Sequence, residues 1–275
     1  MVNWTDLGKG LADKNKEFSY LIDLLRDASG VAIAFSGGAD STFLLAAALI
    51  AGVKSVLPVA IISDFFTVAE KDRVIRLGQY LKITPIFVSS NILDETRVAQ
   101  NTDRRCYFCK LSLFSKVMAV AKKRGIHTFL HGANVDDLKE VRPGMDAARE
   151  LGFKAPLVEA GFSKAKIRAF SKILGLETWN LPAQSCLATR IPKGDIITKE
   201  KLVKVELAET CLHGLGFGQV RVRCHGTTAR IEAEPCELQR LVEAKIRQEI
   251  VRTLKRAGFH FVSLDLEGYI PASGV

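Results

Sequence analysis

Residues 31–41, VAIAFSGGADS, constrain the fold more than any other stretch of the chain. A short apolar run ends at Phe35, two adjacent glycines follow, and the chain from about Thr42 to Ala51 is again almost wholly apolar. The run VAIAF predicts a strand buried on both faces, and such strands belong to parallel sheets. A Gly-rich turn between a strand and a helix presents backbone N–H groups where the helix adds partial positive charge, which suits an anion. Gly37 and Gly38 permit the tight turn and close approach to a phosphate. Ser36 and Ser41 add hydroxyl donors. Asp40 makes sense beside a phosphate mainly with Mg²⁺ between them. No GK[ST] is present, so the loop is not a Walker A.

Strands and helices alternate around this element. Residues 9–28 read as one helix with Phe18, Leu21, Leu24 and Leu25 on its apolar stripe. Strands are predicted at 55–62, 85–90 and 127–132. Helices are predicted near 67–81, over 106–124, and over 163–174, where Gly175 closes the last. The expected class is therefore α/β with a doubly wound parallel sheet. Ligands of such sheets sit beyond the carboxyl ends of the strands. That places Ser63 and Asp64 after one strand, and Gly132, Asn134 and Asp136 after another, near the predicted site.

Around residue 190 the pattern changes. A helix over 198–213 precedes a hairpin-like stretch, 219–234, then a charged helix over 237–256 and a strand over 260–268. With 275 residues and roughly 150 per domain, two domains are expected. They are a first domain over 1–190 and a smaller α+β domain over 191–275.

The net charge is +9. Residues 97–124 hold eight Lys/Arg against one Asp, net +7, which leaves +2 for the rest. Basic character is thus local and favours an anionic small substrate or an anionic cluster there; a nucleic-acid partner is not expected. The N-terminus has no apolar segment of a signal peptide. The longest apolar run, Phe43 to Val53, falls short of the 18 or so residues of a membrane span. A cytoplasmic protein with reduced thiols is expected.

Cys106 and Cys109 form a CxxC in RRCYFCK, and Cys186 lies 77 residues beyond Cys109. A redox dithiol normally opens a helix of a thioredoxin-like unit, a context missing here. A zinc site would need a further ligand, for which His127 or His131 stands available. A three-thiolate iron–sulfur cluster would leave one iron open. Two packing cysteines are the fourth reading. Cys211, Cys224 and Cys236 read as small buried apolar residues. Arg221 and Arg223 are two apart on a predicted strand and share a face; Arg190 follows Cys186 by four. Arginine forks suit a phosphate, and a solvated strand face is the bland alternative. Lys110 is either an anion contact or a solvated helix residue.

The hexapeptide SGGADS resembles the SGGxDS signature of the PP-loop ATP pyrophosphatases, whose fold is adenine nucleotide alpha hydrolase-like, and HGANVDD resembles their second signature. The resemblance implies that Ser36–Ser41 hold the pyrophosphate of ATP, that Asp136 is a candidate contact to Mg²⁺ or to a ribose, and that a substrate oxygen is adenylated. NTDRRCYFCK, the stretch from HGANVDD to KIR, SCLATRIPKG and LGFGQVRVRCHGTTARIEAE are together similar to the LarE family. The similarity runs from about residue 15 to residue 268. These are ATP-dependent sulfur transferases of nickel-pincer cofactor biosynthesis, acting on a pyridinium carboxylate mononucleotide. The resemblance implies that sulfur is delivered at Cys186. It implies that Cys106, Cys109 and Cys186 hold a [4Fe–4S] cluster able to carry an extra sulfide, and that the chain forms a homo-oligomer. It matches Arg190, Arg221, Arg223, Glu209 and Glu232 to the substrate and sulfur-transfer region. Two rival functions are a PP-loop tRNA thiolase with a cluster and a non-catalytic nucleotide-binding protein.

Overall fold

The structure, a computed structural model, describes residues 4–139, 143–182 and 185–270. In chain order its elements begin with α1 (Trp4–Lys14), α2 (Lys16–Arg26), β1 (Val31–Ala34), α3 (Ala39–Ile50), β2 (Val56–Ser63), α4 (Val68–Tyr80) and β3 (Ile86–Ser90). Next come α5 (Thr96–Ala99), α6 (Arg105–Lys122), β4 (Thr128–His131), α7 (Pro143–Glu150), α8 (Pro156–Glu159) and α9 (Lys164–Ile173). The last are α10 (Lys199–Gly214), β5 (Val220–His225), β6 (Thr228–Ala233), α11 (Leu238–Leu241), α12 (Ala244–Arg256) and β7 (Phe261–Leu264). Among the described residues no helix is long and apolar enough to cross a membrane.

The chain groups into two compact units. One is Met1–Ile92 with Cys106–Gln184, the other Leu93–Arg105 with Ser185–Val275. The first holds a four-stranded parallel sheet in the order β3-β2-β1-β4. The pleat of β1 divides its side chains between two apolar layers. Val31 and Ile33 join Phe18, Leu21, Phe43 and Phe162, whereas Ala32 joins Phe114, Val117, Phe129 and Phe153. Both faces are therefore covered, as a mixed α/β architecture with a parallel sheet requires. Aromatic pairs fill each layer: Phe18 stacks on Phe170 at 5.3 Å between centroids, and Phe114 meets Phe153 at 4.1 Å. Each such ring contributes about 1.5–3 kcal/mol by burial. Beyond its polar first turn, helix α3 is apolar on every side and almost wholly buried, which fits a helix enclosed by the core rather than lying on it.

The helix expected over 9–28 is instead two helices. Asn15 stands between them in an extended conformation and its Oδ1 accepts from the Phe18 N–H at 2.9 Å. A short amide side chain that bonds its own backbone competes with helix continuation and begins a new helix. The helix expected over 237–256 is broken similarly, with Glu243 at φ −56°, ψ 134° between α11 and α12.

The second unit has a three-stranded sheet in the order β5-β6-β7. β5 and β6 form the expected antiparallel hairpin, and β7 runs parallel to β6. The sequence placed the division at 190, but the break lies between 184 and 185, and Leu93–Arg105 belong with the second unit. Asn101 shows the cause. It is fully buried and its Nδ2 donates to the carbonyls of Ile191 and Pro192. The Gly194 N–H donates to its carbonyl, and the Ile197 N–H to that of Ala99. Asn101 holds φ +55°, a left-handed conformation that Asn tolerates better than most residues.

Candidate functional site

In the strand order β3-β2-β1-β4, the chain moves outward from β1 in one direction and then returns to pair β4 on its other side. The carboxyl ends of β1 and β4 thus flank a topological switch point, where parallel sheets place their ligands. The loop after β1 is Ser36–Gly38. Gly37 has φ +71°, and a Cβ there would lie 2.9 Å from a Val74 methyl. The buried Arg73 of α4 donates Nε to the Gly37 carbonyl at 3.0 Å, fixing that peptide. Ser41 Oγ ties the turn together. It accepts from the Ser36 N–H at 3.3 Å and lies 3.1 Å from Ser36 Oγ. Gly38 is the N-cap of α3 and supplies no side-chain cap, so the first-turn N–H groups of α3 have no side-chain acceptor from the N-cap residue.

Beyond β4, Gly132 lies hard against α3. A Cβ there would meet the Ser41 nitrogen at 2.8 Å and the Asp40 carbonyl carbon at 3.0 Å. This close approach brings Asn134 to Asp40, with Nδ2 donating to Asp40 Oδ2 at 3.2 Å. Asn134 also caps a short 3₁₀ turn, Val135–Leu138, in a reciprocal box with Asp137, whose Oδ2 accepts from the Asn134 N–H at 3.1 Å. Burial, and then the neighbouring Asp137 charge, push Asp40 up to about 6, against the opposing pull of Lys164, the Asn134 hydrogen bond and Arg168. Lys164 Nζ lies 3.5 Å from Asp137 Oδ1.

Asp136, the acid singled out in the sequence, does other work. Its carboxylate accepts from Lys139 Nζ at 2.7 Å and from the Lys164 N–H at 2.8 Å, and these bonds hold it below the usual carboxylate range. Asp137 is therefore the second acid beside Asp40. Arg73, Asp137, Lys164 and Arg168 were missed in the sequence. Only Asp137 carried a local signal, since Asn-Val-Asp-Asp has the spacing of a capping box. Ser63 ends β2, where its Oγ accepts from the Phe65 N–H at 3.3 Å. Asp40 and Asp137, with an uncapped helix start beside them, have the hard oxygen chemistry and the small carboxylate number that Mg²⁺ prefers with nucleotide phosphates.

Cys106 and Cys109 lie one turn apart at the start of α6, so both emerge from one side of the helix. Cys106 is exposed and Cys109 half-buried. Lys110 sits over the Phe114 ring at 5.0 Å and also acts on His131. Burial, aided by Lys110, pushes His131 down to about 3, and its ring is flanked by Phe114 and Phe153. His131 is thus a neutral core residue. Within neither unit do the described residues gather three or more His, Cys, Asp or Glu side chains fit to hold a metal ion.

In the second unit Cys186 is exposed and is the N-cap of a short 3₁₀ turn, Leu187–Arg190. Arg190 is buried and shapes this turn from within. Its Nη1 donates to the carbonyls of Ser185 and Cys186 at 2.7 and 3.1 Å, while Nε and Nη2 form a fork on Glu209 at 2.8 and 2.9 Å. Glu209 also accepts from the Val222 N–H at 2.9 Å. Arg223 forks onto Glu232 at 2.9 Å through both nitrogens and donates Nη1 to the Thr189 carbonyl at 2.7 Å. Arg221 is buried over the Tyr269 ring at 5.4 Å, and that burial holds its guanidinium below its ordinary range. The structure therefore brings Arg190, Glu209, Arg223 and Glu232 into one hydrogen-bonded framework under Cys186.

No protein-family model matches the chain. A Synechocystis protein of uncharacterised function is 38% identical over 237 residues, covering 86% of this chain and 88% of that one. A protein of Methanocaldococcus jannaschii, also uncharacterised, is 29% identical over 240 residues, 87% of this chain and 90% of its own. The pyridinium-3,5-bisthiocarboxylic acid mononucleotide synthase of Lactiplantibacillus plantarum is 35% identical over 256 residues, 90% of each chain. Identity at that level along nearly the full length of both proteins carries one conclusion: the chain belongs to the LarE family.

Proposed function

We propose that the chain is an ATP-dependent sulfur transferase that converts a pyridinium carboxylate mononucleotide to the thiocarboxylate. The observation that carries this is the Asp40–Asn134–Asp137 arrangement beside the uncapped start of α3. In this reading the first unit acts as a PP-loop ATP pyrophosphatase domain, and the second, which carries Cys186, as the substrate and sulfur-transfer domain. The N–H groups at Gly38–Asp40 and the Ser36 and Ser41 hydroxyls hold the ATP phosphates. Asp40 and Asp137 would hold Mg²⁺, which supplies charge neutralisation between the phosphates.

A carboxylate oxygen of the substrate attacks the α-phosphorus, the bond to the β-phosphoryl oxygen breaks, and pyrophosphate leaves. A sulfide delivered at Cys186 then attacks the acyl carbon, AMP departs with the electron pair of the broken C–O bond, and the sulfur stays on the acyl carbon as the thiocarboxylate. Arg190 holds the Cys186 turn in place while this occurs. The thiols of Cys106, Cys109 and Cys186 have the donor chemistry of an iron–sulfur site. Cys106, Cys109 and Cys186 would hold a [4Fe–4S] cluster, which would supply a place for an extra sulfide and so permit repeated turnover. The enzyme is read as a cytoplasmic homo-oligomer that takes sulfide from a donor.

The test has two arms. Pyrophosphate release should require ATP and nicotinic acid mononucleotide (a pyridinium carboxylate mononucleotide) together, and the Asp40→Asn variant should lack it. Anaerobically prepared protein should carry about four irons per chain, lost in Cys186→Ala. Iron that survives that substitution would sink the cluster. Cys186 found lighter by about 34 Da after turnover, the loss of H₂S from its side chain, would show instead that it gives up its own sulfur.

A further inference from the structure

Helix α9 carries a cation at each of three successive turns on one face: Lys164, Arg168 and Lys172. Each has a different task. Lys164 donates its N–H to Asp136 at 2.8 Å, and its Nζ lies 3.5 Å from Asp137. Arg168 Nη2 donates to the Leu181 carbonyl at 2.7 Å. Lys172 Nζ sits 4.6 Å from the centroid of the Trp179 ring. These contacts have an order. From Trp179 to Leu181, two residues forward in the chain, the partner changes from Lys172 to Arg168, four residues back along α9. The segment that leaves the 3₁₀ turn Glu177–Asn180 therefore runs antiparallel to α9, toward the end that meets Asp136 and Asp137. Leu181 is extended, at φ −67°, ψ 127°. Cys186 lies five residues beyond it. Of the two ties on this segment the Arg168 bond is the firmer, because it is short, charge-assisted and partly buried, whereas Lys172 lies over an exposed ring.

We propose that Arg168 is a positioning residue for sulfur transfer, fixing the path by which the chain that carries Cys186 leaves the first unit. The role in sulfur transfer rests on the function proposed above; the anchoring of the segment does not. A neutral carbonyl acceptor orients the guanidinium without cancelling its charge, so Arg168 also acts on Asp40. The two effects fall on different steps. The charge bears on adenylation, and the bond to Leu181 bears on what meets the acyl adenylate afterwards. Sulfide attacking the acyl carbon gives thiocarboxylate and AMP. Water attacking the same carbon returns the carboxylate with AMP, and that turnover releases pyrophosphate without product. A loosened exit segment raises the second outcome against the first.

The test compares wild type, Arg168→Met and Arg168→Lys as full chains supplied with ATP, nicotinic acid mononucleotide and sulfide. The readout is thiocarboxylate formed per pyrophosphate released, a ratio that a change at Asp40 alone leaves constant. In Arg168→Met the ratio should fall about tenfold, the effect of one lost charge-assisted hydrogen bond. Arg168→Lys should recover most of it, because a single carbonyl needs one donor and not a fork. Amide hydrogen exchange of the chain without ligands is the second readout. Exchange over 176–182 should rise in Arg168→Met and stay at the wild-type rate over 39–50. Unchanged exchange over 176–182 overturns the anchor, whatever the substrate. Raised exchange with a wild-type ratio overturns the role in sulfur transfer and leaves the function proposed above standing. A wild-type chain that forms no thiocarboxylate overturns that function and this role with it, so the behaviour of the wild type tells the two failures apart.

Discussion

Asn134 and Asp40 meet across 94 residues of chain, with the Asn134 amide donating to the Asp40 carboxylate at 3.2 Å while its backbone N–H donates to Asp137. One residue thus holds two acids near each other without neutralising either. The first turn of α3 begins at the same place.

Asp40 follows as the first prediction. Its folded value of about 6 lies above its unfolded value of 3.8, so the folded chain holds this proton more tightly. The stability this contributes is complete below pH 3.8 and is lost as pH rises through 6. At pH 7.5, without nucleotide, the ionised Asp40 is unfavourable. Asp40→Asn should therefore stabilise the chain by about 1–2 kcal/mol at pH 7.5 and much less at pH 4, a discount on the full shift because the group is only partly buried. Urea unfolding at both pH values checks this, and equal effects at the two would refute it.

Gly132→Ala should destabilise by about 1–3 kcal/mol, because its Cβ meets backbone, which cannot rotate away. ATP affinity should fall with it. The contrast is Gly152→Leu or another change at an open glycine turn, where strain comes from φ alone. Thermal unfolding and nucleotide titration separate the two cases.

Arg73→Ala removes the bond that pins the Gly37 carbonyl. The expected result is an ATP KM raised about tenfold, equivalent to about 1.4 kcal/mol, with substrate affinity unchanged. Arg73→Lys should restore little, since one ammonium cannot reproduce the Nε geometry. An unchanged KM would remove Arg73 from the positioning of the loop.

Arg190→Ala should cost about 3–5 kcal/mol, since it leaves Glu209 buried without its guanidinium. Denaturant unfolding reads this directly. A cost near that of an exposed ion pair, under about 1 kcal/mol, would show that water replaces the fork.

The loop Ser36–Ser41 and its parallel sheet were legible because strand, glycine turn and apolar helix are consecutive in the chain. Asp137 was not singled out beside Asp136, because two adjacent acids differ only in which way a cap turns them. Arg73, Lys164 and Arg168 were not legible. Arg73 bonds the loop, and Lys164 and Arg168 act on Asp40 through their charge, each from a helix distant in sequence, and nothing local marks a long polar side chain that bonds a remote carbonyl or faces a remote acid. Arg190 and Arg221 suggested ligand contacts by type and spacing, but pattern does not report burial. The segment 93–105 was missed as part of the second unit for a similar reason: its anchor is one buried amide, Asn101, bonded to residues 90 positions later.

Glu209 has one more consequence. β5 is an outer strand of its sheet, and the Val222 N–H turns away from β6 to meet this carboxylate. An open strand edge invites pairing with another chain. The acid that orders the Cys186 turn also plugs that edge, so a lesion at Glu209 would be felt first as aggregation during folding rather than as lost chemistry.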